Sequence, residues 1–218
     1  MPGWTRAHFR RLFPWEADRY AAHLKALTPQ GRRWRFCGCL GDDALGAHAA
    51  RAIETCHVEG CFLDGRLIGA FELFVDPLPL GHAQVALSVD PAHHHDGLGS
   101  ELLARATSRA SLMGAPEIDL QIQEDNAAMI GQARRAGAAM SRDGVDVGAA
   151  LAVPPADPRR LSLALLQDEA SLLQGMFALV SGVVRRAVAR TMDDRWRLGA
   201  RRWPARGGMS PSATGEGQ

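Results

Sequence analysis

The run His94-His95-Asp96-Gly97-Leu98-Gly99-Ser100 carries the strongest chemical signal in the chain. Glycine at 97 and 99 lets main-chain N–H groups turn inward with no Cβ in the way. Apolar residues then recur at helical spacing (Leu98, Leu102, Leu103, Ala106, Ala110, Met113), so the positive end of a helix lies behind those amides. Such a loop suits an anion, and a diphosphate would fit it. Asp96 puts a carboxylate into the same loop, which weakens anion binding unless its side chain points outward. His93, His94 and His95 supply rings whose imidazolium form a neighbouring diphosphate would favour; they read equally as a solvated polar loop. No metal centre is expected from them, because consecutive side chains diverge and only His82 stands near enough to add a ligand. Cys37, Cys39, Cys56 and Cys61 lack the two-residue spacing of zinc ribbons and read as reduced thiols.

A strand before the loop and a helix after it must hold it in place. Gln84 to Val89 reads as the strand, ending at Asp90-Pro91, and the helix runs to Gly114. Upstream, Val58 to Leu63 and Leu67 to Val75 are apolar runs joined by Asp64-Gly65-Arg66, a hairpin signal. Downstream, Glu117 to Ile122 predicts a strand, and Asn126 can cap a helix that carries Met129, Ile130 and Ala133 and stops at Gly137. The order β-β-β-α-β-α-β gives an α/β (α+β) class, with a mixed, mostly antiparallel central sheet flanked by helices.

With 218 residues, 46% of them hydrophobic, the chain can bury one substantial core and carry an appendage. A net charge of +1 gives no global attraction to nucleic acid or an anionic membrane, so neither is expected as a specific partner. The first residues hold no continuous apolar stretch. With the reduced thiols, this points to a bacterial-type cytoplasmic protein. Pro154-Pro155-Ala156-Asp157-Pro158 reads as a rigid break closing a domain over residues 4–153. Residues 157–204 then predict a long amphipathic helix. Leu165, Leu166, Leu172, Leu173, Met176 and Phe177 lie on its apolar face, opposite Gln167, Asp168 and Ser171. That face must be covered, by the domain or a second copy (a homodimer) in the first place and otherwise by a partner helix or a membrane surface. Asp168 and Glu169 break the run before membrane-spanning length. Residues 207–218 lack the apolar surface to order themselves.

The loop and its surroundings resemble the GNAT acetyltransferase superfamily. Its signature of Arg or Gln, two residues, Gly, one residue, then Gly or Ala is met by His94-x-x-Gly97-x-Gly99, after the strand and turn Val85-Ala86-Leu87-Ser88-Val89-Asp90-Pro91. Ile122 to Met129, followed by Arg134-Arg135-Ala136-Gly137-Ala138, is similar to the family's second block. Leu27-Thr28-Pro29 through Phe36 is similar to GNAT domains of bacterial protein-lysine acetyltransferases. The resemblance covers residues 4–153. It implies transfer of an acetyl (acyl) group from acetyl-CoA to a primary amine, on a small molecule or a protein lysine, by direct attack. It also implies that Leu87 and Val89 hold the pantetheine through main-chain groups, that His94, His95, Asp96, Gly97, Leu98, Gly99 and Ser100 wrap the pyrophosphate, and that Asn126 sits beside the pantetheine. An N–H near Val89 would stabilise the oxyanion.

The chain departs from the family at His94, at Gln84 where many members have Glu, and at Ala133 where they have Tyr. Glu72 and Glu124 are then the carboxylates that a water could link to the amine, unless water alone assists. The same departures leave open a catalytically silent acyl-CoA sensor.

Overall fold

A computed structural model of the protein describes residue 4 and residues 6–76, 81–143, 146–156, 168–177 and 179–181. The chain divides into two compact units, Met1–Met176 and Phe177–Gln218. Everything below concerns the first. The expected tail at 207–218, and the stretches 157–167 and 182–204 of the expected long helix, lie outside the described residues.

The sheet grows from the predicted hairpin. Asp64 and Gly65, at φ 49° and 78°, make the left-handed two-residue turn whose twist matches its strands, here β2 (His57–Leu63) and β3 (Arg66–Val75). β1 (His8–Arg11) pairs antiparallel with the outer edge of β2. On the other side β4 (Ala83–Val89) pairs antiparallel with β3, from Gly69 opposite Val89 to Val75 opposite Ala83. β5 (Glu117–Gln123) runs parallel to β4 but is paired with it only at Ala83–Ile118 and Gln84–Asp119. Beyond those two pairs the strands part. β7 (Asp146–Ala152) and β6 (Ala139–Asp143) complete an order β1-β2-β3-β4-β5-β7-β6 among the described residues.

Helices cover both faces. α1 (Ala17–Ala26), α2 (Pro29–Phe36) and α3 (Asp42–Thr55) precede β2, and Tyr20, Leu24, Leu45, Ala49 and Ile53 pack with Phe62 and Ala70 on one face. α4 (Leu98–Leu112) and α5 (Ala127–Arg135) take the other, where Leu98, Leu102 and Ala106 meet Ile68, Phe71, Leu73 and Ile118. From β2 onward the expected β-β-β-α-β-α-β order holds, as does the mixed, mostly antiparallel sheet. β1, the three N-terminal helices and the separation of the last segment into β6 and β7 are additions that the sequence pattern left unresolved.

Helical residues 168–176 reach the domain through their polar stripe. Asp168 forms a two-pronged ion pair with Arg109 at 2.7 and 2.9 Å, Ser171 Oγ accepts from Arg11 N–H at 3.4 Å, and Gly175 O accepts from Trp15 Nε1 at 3.3 Å. Leu172, Leu173 and Met176 stay exposed. The expectation that their face would pack on the domain is corrected here. The surface on offer is a strand edge, an arginine and the stacked Phe13 and Trp15 rings, and it is met by Asp168, Ser171 and the bare backbone of Gly175 and not by the leucines.

Candidate functional site

Where β4 and β5 part, a cleft of about 780 Å³ opens, walled by Val85 to Val89 on one side and Leu120 to Ile122 on the other. The β3–β4 ladder decides which main-chain groups face it. Asp76 N–H bonds to His82 O and Asp90 N–H to Ile68 O, each at 2.8 Å, and hydrogen-bonded pairs alternate along an antiparallel ladder. Gln84, Ala86 and Ser88 therefore bond to β3. The N–H and C=O groups of Leu87 and Val89, beyond the last β4–β5 pair at Gln84–Asp119, point toward the cleft and are unpaired by β5. His94 Nε2 lies 3.1 Å from Val89 O, so that ring nitrogen carries the proton and donates it.

At the mouth of the cleft the chain turns through His95 (φ 65°) and Gly97 (φ 82°) into α4. Glu101 N–H makes the first helical bond, to Gly97 O at 3.1 Å, which leaves the N–H groups of Leu98, Gly99 and Ser100 without a helical acceptor. Gln132 of α5 donates to Gly99 O at 2.6 Å, and a Cβ on Gly99 would stand 2.9 Å from Gln132 Oε1. Glycine at 99 leaves room for the Gln132 side chain against the loop, a side chain that a Cβ would push aside. Asn126 caps α5 by accepting from Met129 N–H at 3.1 Å. Leu87, Val89, His94, His95, Gly97, Gly99, Ser100 and Asn126 come together on this cleft. Asp96 is exposed outside it, with its carbonyl bonded to Trp4 Nε1, and Leu98 is buried in the core.

The sequence profile of the acetyltransferase (GNAT) family matches residues 7–138. The chain belongs to that family. Over 74 residues it is 42% identical to a mycothiol acetyltransferase of Clavibacter michiganensis, a match spanning 34% of this chain and 23% of that relative. Solved structures share the fold. The GNAT domain of the protein PAT from S. lividans superposes with a TM-score of 0.59 at 18% identity, over 67% of this chain and 90% of that one. PaiA N-acetyltransferase of Thermoplasma acidophilum, solved with coenzyme A, gives 0.53 at 18% identity over 67% and 98%. The acetyltransferase yncA of Salmonella typhimurium, solved with acetyl-CoA, gives 0.51 at 17% over 68% and 94%. Acetyl-CoA is the usual cosubstrate of this family.

On the α1–α3 side of the cleft, this GNAT domain buries a polar cluster. Glu72, opposite Ala86 on β3, accepts from Tyr20 Oη at 2.5 Å and meets His48 Nε2 at 2.8 Å; Arg35 Nη2 stands 2.5 Å from its other oxygen. The two form a buried ion pair. Burial alone would raise the Glu72 carboxyl, but the Arg35 charge and the His48 hydrogen bond override it and hold the group at about 2. A carboxylate so firmly ionised, and off the cleft wall, is a weak proton acceptor. Of the two carboxylates expected as bases, Glu72 is the one held inside a polar cluster behind the cleft. Glu124 sits exposed in the turn after β5, off the wall. Gln84 is exposed and Ala133 is buried, and neither carries a proton.

Sequence reasoning missed three features of the cleft. Gln132 is one. The second is the span of α2, capped by Thr28 through Gly31 N–H at 3.0 Å: Trp34 Nε1 donates to Asp125 at 2.9 Å, Gln30 Nε2 at 3.2 Å, and Arg33 pairs with the same carboxylate. This ties α2 to the turn beside Asn126. The third is a buried pair, His23 Nε2 and Ser88 Oγ at 2.9 Å. None left a local signal, since each partner lies 33 to 95 residues away in sequence.

Proposed function

We propose that this protein transfers an acetyl group from acetyl-CoA to a primary amine, by direct attack of the amine on the thioester. The observation that carries the reading is the parted β4–β5 pair. It leaves both main-chain groups of Leu87 and the N–H of Val89 unpaired by β5 and facing the cleft, where the amide-bearing pantetheine arm would extend a strand-like hydrogen-bond pattern. The free amides at the start of α4, with His94, His95, Gly97, Gly99 and Ser100, suit the pyrophosphate. The glycines there leave room beside those amides, Gly97 having nothing within 4 Å of where a Cβ would stand. Asn126 borders the pantetheine. The Val89 N–H is the donor placed to stabilise the developing oxyanion. Leu98 acts by anchoring the loop in the core, and Asp96 keeps its charge outside.

A catalytically silent acyl-CoA-binding module is the second reading. It is favoured by the lack of any carboxylate among the described residues lining the cleft. Calorimetry with coenzyme A, joined to thiol release from acetyl-CoA over a panel of amines and lysine peptides, separates the two. Binding with turnover supports the enzyme, binding without turnover supports the sensor, and no binding overturns both.

A further inference from the structure

With Glu72 committed to Arg35, Tyr20 and His48, and Glu124 outside, the attacking amine needs another way to lose its proton. Among described residues on the cleft wall, the groups able to pass a proton are the histidines and Ser100 at the phosphate end and Ser88 in the body of the cleft. His94 already donates to Val89 O. Ser88 faces the opposite side of β4 from Val85, Leu87 and Val89, toward α1. There its hydroxyl lies 2.9 Å from His23 Nε2.

Both residues are buried, His23 with a stacked Tyr20 ring 6.3 Å away. With the proton on its other ring nitrogen, Nε2 accepts from the Ser88 hydroxyl. The charged groups around the ring are Asp90, Arg35 and Arg66; burial, opposed only in part by the Leu67 main chain and Asp90, lowers the imidazole to about 4. The ring is neutral at pH 7 and a weak base, so its part in the relay rests on its contact with Ser88 and not on its basicity.

We propose that Ser88 is a catalytic residue of the acetyl transfer, relaying the amine proton to His23 and returning it to the departing thiolate. This inference rests on the acetyltransferase reading above. As the carbon–nitrogen bond forms, the N–H bond breaks toward Ser88 Oγ while the Oγ–H proton passes to His23 Nε2. As the carbon–sulfur bond breaks, the proton returns through Ser88 to sulfur. The products are an amide and a free thiol, and both side chains end as they began. His23 acts through Ser88, and its low basicity lets it hold the proton only transiently.

The test compares full-length wild type with S88A, S88T and H23Q, by steady-state kinetics in light and heavy water and by calorimetry with coenzyme A. S88A and H23Q each lower kcat about a hundredfold or more and abolish the solvent isotope effect, and S88T restores most of the loss. Coenzyme A affinity stays within about twofold, the split expected of a group used only as the reaction proceeds. If S88A fails to fold, H23Q keeps a polar partner for Ser88 and gives the same readings. Wild-type turnover with unaltered kcat in S88A, or an isotope effect that survives it, overturns the relay alone. Wild-type binding without turnover overturns the relay and the enzyme reading, and no binding overturns the cleft assignment beneath them.

Discussion

Gly97 shows what a single residue contributes to the loop. Its φ of 82° lies in the left-handed region, with no atom within 4 Å of where a Cβ would stand, so the constraint is conformational and not steric. Gly97→Ala should therefore destabilise the fold by about 1 kcal/mol and, by disturbing the amides behind it, weaken coenzyme A binding roughly tenfold. Thermal unfolding and calorimetry check the two effects separately. Glu72 makes the opposite case, a residue held by others. Glu72→Gln leaves the Arg35 charge buried without its counter-ion and should cost about 3–5 kcal/mol, whereas the double variant R35M/E72L, which removes both charges, should lie nearer to wild type. Urea unfolding of the three proteins decides this. A double variant worse than E72Q would mean the cluster contributes more than mutual neutralisation.

At the scale of elements, the cleft exists because β4 and β5 pair at only two positions and then diverge. Whatever bridges the gap controls access, and α2 does so through Asp125. These contacts are exposed, so they add little to stability. Asp125→Ala should leave the melting temperature nearly unchanged while amide exchange in α2 quickens roughly tenfold. Hydrogen exchange by mass spectrometry measures it, and unchanged protection would mean that packing alone holds α2. The helical residues 168–176 follow a different rule: their contacts run through polar groups and the Gly175 backbone, and their leucines stay outward.

For the whole molecule, buried groups set the response to acid: His23 and Glu72 are shifted far, and His57 and Glu59 are lowered with them. His23 is lowered to about 4 from 6.5, so the unfolded chain takes up a proton first as the pH falls. Stability is therefore fully present above about 6.5 and declines toward pH 4, by an amount on the order of 3 kcal/mol. Glu72, held at about 2 against 4.5, keeps its contribution above 4.5 and loses it as the pH falls toward 2. Melting temperatures should thus fall in two stages, and H23Q should make the first shallower while leaving the second unchanged, the remainder of the first belonging to His57. A wild-type melting temperature constant from pH 7 to 4.5 would contradict the burial of a neutral His23.

The sequence by itself determined the elements from β2 to α5 and the loop between β4 and α4. Their signals are local: Asp64-Gly65 fixes a hairpin, Gly97 and Gly99 open a helix start, and Asn126 caps the next helix within three residues. The family signature lies in the same contiguous stretch. Tertiary structure alone decided which carboxylates could reach the cleft. Glu72 and Glu124 look alike along the chain, but a carboxylate's basicity depends on charges brought close through space, and Arg35, Tyr20 and His48 arrive from three different helices. The pairing of His23 with Ser88 is of the same kind, since only the packing of α1 on β4 places a ring nitrogen against a hydroxyl 65 residues away.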